Sequence, residues 1–487
     1  MIRGKPEVKN MAFPYKKMTE ADIAYIRSVT SEDRVLVGEE IPYEFHHDEM
    51  PEYGVYRPEL YVEALNREEV SKILAYANRE NLPVTARGAG TGLAGGATAM
   101  YGGILLSVMK MNRIFPVDHK NMSITAEPGA LLLDIQEAAA AEGLFYPPDP
   151  GERTASIGGN VVTNAGGMTA VRYGVTRDFV RCMEVVMPDG KIMNFSSNVG
   201  KNTTGLDLKD LVVGSEGILC VVTQITLKLV TQPTHVCSVI LPFATLDESA
   251  DMVPKILALP YVPTTIEFLE RELIDMIERH LHKVFPVREG EAVLFVKYEA
   301  SGPEELDRMV SALGEEALAN GALDCCIADT PERAESVWSV RRAELEGMQA
   351  EAPALEEADI VVPRSRIAEY LKASKRIGLK HGLRVEPCGH VGDGNIHTEL
   401  LRSPEQTDEE WKDATRAALK ELYALAVELG GQMSGEHGTG SGRTEFLREF
   451  LGDDMISLYR GIKRVFDPNW ILNPGKMIAL ESEIEEK

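Results

Sequence analysis

The chain has 487 residues, of which 44% are hydrophobic, and its 76 acidic and 51 basic residues give a formal net charge of −25. Such a length predicts about three domains, and the apolar content is sufficient for globular cores. A surface this negative repels phosphate backbones and anionic lipid headgroups within roughly a Debye length, so nucleic acid and membrane surfaces are poor partners. An anionic substrate would need local cations, such as buried arginines or a metal ion.

The hydrophobic periodicity of the first 232 residues predicts an extension followed by a mixed domain. Residues 1–55 are polar and end in a stretch broken by Pro and Gly, so we expect them to lead into the first domain. A helix is predicted at NREEVSKILAYANREN, where Asn66 and Glu69 have the spacing of a capping box. The other predicted elements of 56–232 are strands at LPVTA, GGILLSV and ILCVVTQITLKLV, a helix at PGALLLDIQEAAAAEGLF ended by Gly143, and a hairpin at VRCMEVVMPDGKIMNF.

From residue 233 onwards, strands and helices alternate in longer units, which predicts a second domain over 233–478. The predicted strands are CSVILPF, TTIEFLE, AVLFVKYEA and ALDCCIA, and the predicted helices lie near 248–258, 272–282, 303–320 and 331–347. We therefore expect two α+β domains, 56–232 and 233–478, and a solvated acidic tail over 479–487.

The six cysteines contain no CxxC pair, so their spacing encodes neither an iron–sulfur cluster nor a zinc ribbon. The N-terminal stretch MIRGKPEVKN is charged, and no later segment approaches the apolar run of about 18 residues that a membrane-spanning helix needs. We therefore expect no membrane span, a reducing cytoplasmic setting and free thiols.

The first glycine-rich stretch is ARGAGTGLAGGATAMYGG, in which Gly90, Gly92 and Gly95 match the GxGxxG dinucleotide fingerprint. That fingerprint must open a helix whose N-terminus receives the pyrophosphate. Here more glycines and the strand-like GGILLSV follow, and no acidic residue stands about 20 residues on, where a ribose ligand is expected. We therefore expect a glycine loop without that fingerprint's helix.

A second glycine-rich stretch, SIGGNVVTNAGGMTAVRYG, occupies residues 156–174. Because glycine has no Cβ, its backbone N–H groups can approach a phosphate closely. Either stretch alone could be a tight turn. The two together, with PPDPGERTAS leading into the second, favour a long diphosphate ligand between them.

Six segments in order carry a resemblance to a known family, namely PVTARGAGTGLAGGA, PPDPGERTASIGGNVVTNAGGMTAVRYGVTRD, GSEGILCVVTQITLKL, GHVGDGNIH, SGEHGTG and LNPGKM. Over about residues 40–478 the chain resembles the FAD-linked D-2-hydroxy-acid dehydrogenases of the vanillyl-alcohol-oxidase type. It is similar to the flavoprotein subunits of D-lactate dehydrogenase and of glycolate oxidase. The resemblance implies an α+β fold, with a two-lobed FAD-binding domain of that type followed by an α+β substrate (cap) domain with an antiparallel sheet.

The resemblance also implies which residues bind FAD. Relatives that attach FAD covalently place a histidine in the first loop, where this chain has Thr91, so we expect non-covalent FAD. The pyrophosphate is expected on the backbone of 87–92, and the LNPGK segment is expected over the flavin. The expected FAD contacts are Arg87, Gly88, Ala89, Gly90, Thr91, Gly92, Pro150, Thr154, Gly158, Gly159, Asn160, Asn164, Gly167, Glu216, Ile218, Asn473 and Lys476.

CGHVGDGNIHTEL, residues 388–400, predicts a metal site. Its glycines form a turn that can bring His390 and His397 onto one ion, and a catalytic metal needs three protein ligands and an open position. SGEHGTG offers Glu436, and the resemblance places the carboxylate ligand there. Two core histidines satisfied by the backbone are the alternative. These ligand types suit zinc, iron and manganese alike.

Chemistry on a 2-hydroxy acid predicts the remaining roles. A divalent ion would stabilise the deprotonated hydroxyl while hydride passes from Cα to flavin N5. His437 is the best candidate for the general base, because neutral imidazole accepts protons near pH 7. It could instead be a fourth ligand or a buried hydrogen-bonding group. Arg341 matches the arginine that holds the substrate carboxylate in relatives, although on a predicted helix it could also be merely exposed.

Two departures from relatives that act on 2-hydroxyglutarate limit the substrate. Those relatives carry a lysine and an asparagine where this chain has Glu357 and Glu399. A small monocarboxylate, with D-lactate favoured, is therefore expected. Electrons are expected to leave to an acceptor protein such as an electron-transferring flavoprotein. The alternatives are a glycolate oxidase catalytic subunit with an iron–sulfur partner, and a non-catalytic subunit that only carries FAD.

Overall fold

The structure is a computed structural model that describes residues 15–480, and all structural statements below refer to that range. Most of the predicted acidic tail 479–487 and the first 14 residues of the predicted extension lie outside it. The strands are β1 (Val35–Val37), β2 (Leu60–Glu63), β3 (Val84–Arg87), β4 (Ile104–Ser107), β5 (Ser123–Ala126), β6 (Leu144–Phe145), β7 (Val180–Val186), β8 (Ile192–Phe195), β9 (Val221–Lys228), β10 (Val230–Thr231), β11 (His235–Phe243), β12 (Thr265–Glu270), β13 (Ala292–Ala300), β14 (Cys326–Ala328), β15 (Leu355–Val361), β16 (Arg384–Cys388) and β17 (Asn395–Leu401).

The helices mostly follow the predicted periodicity. They are α1 (Glu20–Val29), α2 (Arg67–Glu80), α3 (Leu132–Ala141), α4 (Ile157–Thr163), α5 (Ala170–Tyr173), α6 (Thr176–Phe179), α7 (Leu208–Val212), α8 (Leu246–Ala258), α9 (Arg271–Leu281), α10 (Pro303–Ala319), α11 (Pro331–Arg342), α12 (Glu344–Glu351), α13 (Ile367–Lys380), α14 (Asp408–Glu428), α15 (Thr444–Leu451) and α16 (Asp453–Phe466).

The predicted start of α2 is confirmed, but only half of the capping box forms. The Asn66 side chain accepts a hydrogen bond from the Glu69 N–H at 3.0 Å. The Glu69 carboxylate accepts from the Leu65 N–H and pairs with Arg34, at 2.9 and 2.7 Å. It therefore ties α2 to the preceding segment.

The chain folds into two compact units. The first contains the described residues up to Ala165, Val175–Gln232 and those from His437 onwards, and the second contains Gly166–Gly174 and Pro233–Glu436. The sequence had assigned 437–478 to the second domain. In the structure this segment pairs with β3, because the Val84 N–H donates to the Ile471 carbonyl and the Asn473 N–H donates to the Val84 carbonyl, both at 2.7 Å.

The first unit contains two four-stranded sheets. One has the order β1-β2-β4-β3, with β2, β4 and β3 parallel and β1 antiparallel to β2. The other, β5-β9-β7-β8, is antiparallel. β4 is buried along its whole length, as expected for the interior of a parallel sheet. The segment predicted as an extension supplies α1 and β1, so from residue 15 onwards it is part of this unit.

The second unit contains two sheets, and both are antiparallel. The larger has the order β12-β13-β11-β14 and the smaller β15-β17-β16. Gly389, just after β16, exchanges two backbone hydrogen bonds with Phe268 of β12, at 3.0 and 3.3 Å. The two sheets are thus joined directly beside the histidine segment.

The single helix predicted near 331–347 is wrong, because the chain breaks between α11 and α12 at Ala343, whose φ is −95° and ψ is 19°. After the break, α12 packs closely on α9. A Cβ on Gly347 would lie 2.9 Å from Ile277 Cγ1, so this glycine permits the contact. The hydrophobic pattern gives no warning of such a turn between two helices of similar composition.

Candidate active site

The first glycine loop directly follows β3. Gly90 has a φ of +81°, and a Cβ there would lie 2.2 Å from Arg87 Nη2, so both the backbone conformation and the space require glycine. The Arg87 guanidinium donates to the carbonyls of His47 and Glu44, at 2.8 and 3.1 Å, and holds the N-terminal segment against the loop. In the described chain no helix lies between this loop and β4, which confirms that the GxGxxG match is not a dinucleotide fingerprint.

The two glycine-rich stretches meet at Ser156. Its Oγ accepts a hydrogen bond from the Ala89 N–H of the first loop at 3.3 Å and caps α4 by accepting from the Gly159 N–H at 3.4 Å. A Cβ on Gly88 would lie 2.1 Å from this oxygen. Two stretches about 70 residues apart in sequence therefore lie side by side, as expected of two segments that bind one extended diphosphate.

The LNPGK segment lies in the same unit. Asn473 Nδ2 donates to the carbonyls of Glu216 and Gly96, at 2.7 and 3.0 Å, while its buried Oδ1 has no partner among the described residues. Lys476 donates to the Thr98 carbonyl at 2.5 Å, and burial lowers the pKa of this lysine to about 7. A polar cofactor atom would satisfy the amide oxygen, so this segment fits FAD.

The remaining expected FAD residues are dispersed. Asn160 is buried, whereas Pro150 is half-buried and Thr154 is exposed. The Glu216 carboxylate is occupied by the N–H groups of Thr439 and Gly440, both at 2.6 Å. Gly167 belongs to the second unit. Roles of these residues toward FAD stay predictions.

In the second unit, His390, His397 and Glu436 converge. His390 Nε2 lies 3.3 Å and His397 Nε2 lies 3.5 Å from the same oxygen, Glu436 Oε1. One ligand atom of each lies within 4.8 Å of the others. His397 is on β17, while His390 follows the end of β16, so only one imidazole is carried by a strand. Two nitrogen donors from one short segment and an oxygen donor from a distant one make up the set that a divalent ion requires.

Both imidazoles are held from behind by carboxylates. His390 Nδ1 lies 2.7 Å from Glu267 Oε1, and His397 Nδ1 lies 2.9 Å from Glu357 Oε1. A carboxylate that accepts from Nδ1–H leaves the Nε2 lone pair free to bind a metal. Burial alone would lower the pKa of His390, but Glu267 and Glu436 outweigh it and raise that pKa well above its usual range. The centre therefore attracts positive charge.

Asp359 fixes the segment that carries Glu436. One of its oxygens accepts from Asn395 Nδ2 at 2.8 Å, and the other accepts from Ser434 Oγ and from the N–H groups of Gly435 and Glu436, at 2.7, 3.0 and 2.9 Å. This buried carboxylate ties the start of β17 to the Glu436 segment.

Gly166 lies against Glu436. A Cβ at this position would be 2.6 Å from Glu436 Oε2, so any side chain there would displace the carboxylate. Gly166 follows Asn164, an expected FAD contact, by two residues.

Three glutamates form a row beside this centre. The strand register places Glu357 opposite Glu399, and Glu399 opposite Glu386, while Asp359 opposes His397 two residues further on. Directly opposed residues of antiparallel strands share one face. The row therefore lies on the same face as His397.

Arg341 is buried, being 6% exposed, so the alternative of an exposed arginine is wrong. Its Nε and Nη2 donate to Glu267 at 2.8 and 2.7 Å, and its Nη1 pairs with Glu344 at 2.5 Å. The predicted contact with a substrate carboxylate stays a prediction, because this guanidinium binds two carboxylates of the protein. His437, the predicted base, directly follows Glu436 and is half-buried.

The sequence does not predict the supporting role of three carboxylates, namely Glu267, Glu357 and Asp359. Glu267 stands inside the predicted strand TTIEFLE, and an ionisable residue within an otherwise apolar buried strand is seldom unpaired. The sequence therefore indicates that Glu267 is paired, but it does not show which residue is its partner.

Comparison with known proteins identifies two matching regions of the chain. Residues 58–196 match the family model "FAD binding domain", and residues 232–477 match "FAD linked oxidases, C-terminal domain". The chain belongs to the FAD-linked oxidase family. It is therefore an FAD-linked oxidoreductase, which confirms the resemblance and the predicted enzyme class.

Full-length relatives support the same family. The chain is 42% identical to a D-lactate dehydrogenase of Anaerostipes hadrus, across 96% of this chain and 98% of that protein. It is 37% identical to a D-lactate dehydrogenase of Archaeoglobus fulgidus, across 86% and 90%, and 34% identical to the glycolate oxidase subunit GlcD of Bacillus subtilis (strain 168), across 90% and 92%.

Solved structures confirm the fold class. Substrate-bound p-cresol methylhydroxylase has a TM-score of 0.76 at 18% identity, with coverage of 96% of this chain and 98% of that one. The 4-ethylphenol oxidase from Gulosibacter chungangensis also has a TM-score of 0.76, with coverage of 95% and 98% at 18% identity. All six cysteines are free thiols, and no helix between residues 15 and 480 is both long and apolar enough to cross a bilayer.

The acidic row predicts a pH-dependent stability. Glu386 is 1% exposed, and burial raises its pKa to about 7, although Arg384 opposes the shift. Because the folded pKa exceeds the usual glutamate pKa of 4.5, the contribution of this residue to stability is intact below that value and is lost as the pH rises to about 7. The free energy of unfolding of Glu386→Gln, relative to that of wild type, should therefore increase by roughly 2 kcal/mol between pH 5 and pH 8. Urea unfolding at both pH values measures this, with the exposed Glu315→Gln as control. The prediction would be contradicted if the variant and the wild type differed in stability by the same amount at pH 5 and at pH 8.

Proposed function

We propose that the protein oxidises a small D-2-hydroxy acid, with D-lactate favoured, to the 2-oxo acid. The convergence of His390 and His397 on one oxygen of Glu436 carries this proposal, because a hydroxy acid can chelate an ion held there. The two D-lactate dehydrogenases among the relatives support the choice of substrate.

The chain's own residues prepare the substrate for oxidation. Bound FAD supplies the hydride acceptor, and a divalent ion (zinc, iron or manganese) supplies positive charge at the substrate hydroxyl. His390, His397 and Glu436 hold and orient that charge. His437 accepts the proton of the hydroxyl as general base.

The acidic row supports a monocarboxylate. Glu357 and Glu399 lie opposite each other beside His397, and Glu399 is buried. A second substrate carboxylate would meet like charge there, which costs more at a buried site than in water. Glycolate or D-lactate fits better than 2-hydroxyglutarate.

Electrons from a bound FAD would leave to an acceptor protein, such as an electron-transferring flavoprotein. The second candidate is a glycolate oxidase catalytic subunit beside an iron–sulfur protein, which the 34% identical GlcD subunit supports. A non-catalytic FAD carrier would have no need of the histidine and glutamate set. The cytoplasmic location expected from the cysteines stays a prediction.

Anaerobic mixing tests the function. Purified protein is mixed with D-lactate, L-lactate, glycolate or D-2-hydroxyglutarate, and bleaching of the flavin absorbance is followed. D-lactate should bleach fastest. Faster bleaching by glycolate would favour the second candidate, and no bleaching by any hydroxy acid would contradict catalysis.

FAD is expected to be released by mild denaturation, because Thr91 stands where covalent relatives carry a histidine. Acid precipitation followed by fluorescence of supernatant and pellet measures this. Flavin that stays with the pelleted chain would contradict non-covalent binding.

A further inference from the structure

Glu267 is a fully buried carboxylate, 0% exposed, in the middle of β12. Its two oxygens face different partners. Oε1 lies 2.7 Å from His390 Nδ1, while Oε2 accepts from Arg341 Nε and Nη2 at 2.8 and 2.7 Å. The side chain thus connects a predicted metal ligand to a buried guanidinium.

The partners of Glu267 leave it only one chemical form. Arginine is permanently charged and can only donate, and Glu344 holds its other side, with Nη1 at 2.5 Å. Arg341 places two N–H groups on Oε2 alone, and such a fork binds the ionised form of a carboxylate. Glu267 is therefore an ionised acceptor on both sides, and His390 must carry a proton on Nδ1.

We propose that Glu267 is a positioning residue of the metal centre, which holds His390 in the tautomer whose Nε2 lone pair faces Glu436. This inference rests on the proposed metal-dependent function. The Nε2 atom lies 3.3 Å from Glu436 Oε1, so a proton on Nε2 would point at the ion's place and prevent ligation. Arg341 keeps the Glu267 carboxylate from rotating away.

Glutamine at position 267 distinguishes this role from simple space filling. An amide has one acceptor oxygen and one donor nitrogen. If its oxygen faces Arg341, its NH₂ group forces Nδ1 of His390 to accept, which moves the proton to Nε2. If its oxygen faces His390, two donors meet at Arg341. The first arrangement removes the ligating tautomer, and the second keeps it only at the cost of two buried donors that face each other.

The test measures metal binding by the full-length, FAD-loaded protein. After removal of metal with a chelator, Co²⁺ is titrated in competition with a chromophoric chelator, and its visible absorption reports ligand geometry. Glu267→Gln is expected to raise the Kd for Co²⁺ by 10–100-fold, about the range seen when carboxylates behind metal-binding histidines are replaced. Its absorption spectrum should also change.

Glu270→Gln is the matched control. Glu270 lies on the same strand, is 3% exposed and pairs with Lys375, but three residues along a strand it faces the other side of the sheet. Its substitution should leave Co²⁺ binding within about twofold of wild type. An equal loss in both variants would point to general damage to β12 and overturn the proposal.

Other outcomes are equally decisive. Wild-type affinity in folded, flavin-loaded Glu267→Gln overturns the positioning role. If that variant does not fold, Glu267→Asp replaces it, because it keeps a charge for Arg341 but withdraws the carboxylate from His390, and unchanged affinity there also overturns the proposal. A wild-type protein that binds no Co²⁺ refutes the metal centre itself, which is a failure of the proposed function rather than of Glu267 alone.

Discussion

Glu436→Gln is expected to be purified without its divalent ion and to reduce FAD with D-lactate at least about 10³-fold more slowly than wild type. Its Oε1 is the atom on which His390 Nε2 and His397 Nε2 converge, so the variant loses the anionic member of the ligand set. Charge stabilisation by a metal ion is worth several kcal/mol, and each 1.4 kcal/mol is about tenfold in rate. Elemental analysis and anaerobic stopped-flow at the flavin absorbance measure the two effects.

Glu299→Gln is the control for this experiment. Glu299 is also a buried glutamate of the second unit, where it accepts a hydrogen bond from the Tyr173 hydroxyl at 3.0 Å. Its substitution should leave metal content and flavin reduction unchanged. If Glu436→Gln kept its metal, or reduced flavin at the wild-type rate, the proposed centre would be refuted.

His437→Asn is expected to slow flavin reduction by about 10²–10⁴-fold while the metal content stays at the wild-type level. A positioned general base contributes roughly that factor, and asparagine cannot accept the hydroxyl proton. His437 directly follows Glu436, so a ligand and a base can come from one short segment. The same stopped-flow and elemental measurements apply.

His381→Asn provides a histidine control away from the centre, because His381 pairs with Glu421 after α13, at 2.9 Å. It should behave as wild type. Loss of metal in His437→Asn would make His437 a fourth ligand. An unaltered rate would make it a bystander, and the base would have to be sought elsewhere.

The elements were largely predictable because their signals are local. Asn66 caps α2 and the first glycine-rich stretch forms a loop, as their residue types require, whereas the second stretch contains α4 and α5. The break at Ala343 was not predictable, because it depends on how α12 packs on α9 at Gly347. The pairing of the C-terminal segment with β3 was not predictable either, because the bridge between Leu472 and Val84 joins residues nearly 400 apart in the sequence.

The candidate ligands could be named from the sequence, but their supports could not. His390 and His397 stand in one short turn, whereas Glu267 precedes His390 by more than 120 residues. Glu357 was expected only to repel a second substrate carboxylate, and the strand register also places it beside His397. Partners that lie so far apart in the sequence cannot be recognised from local sequence patterns.

The sequence by itself determined the family, the first glycine loop and the residue types of a metal site, because each is written in short segments of fixed order. Only the tertiary structure decided that Arg341 is buried between Glu267 and Glu344, and that each imidazole has a carboxylate behind its Nδ1. The physical reason is that a buried charged group needs a partner of opposite charge, and the packing of whole sheets determines which charged group lies nearby.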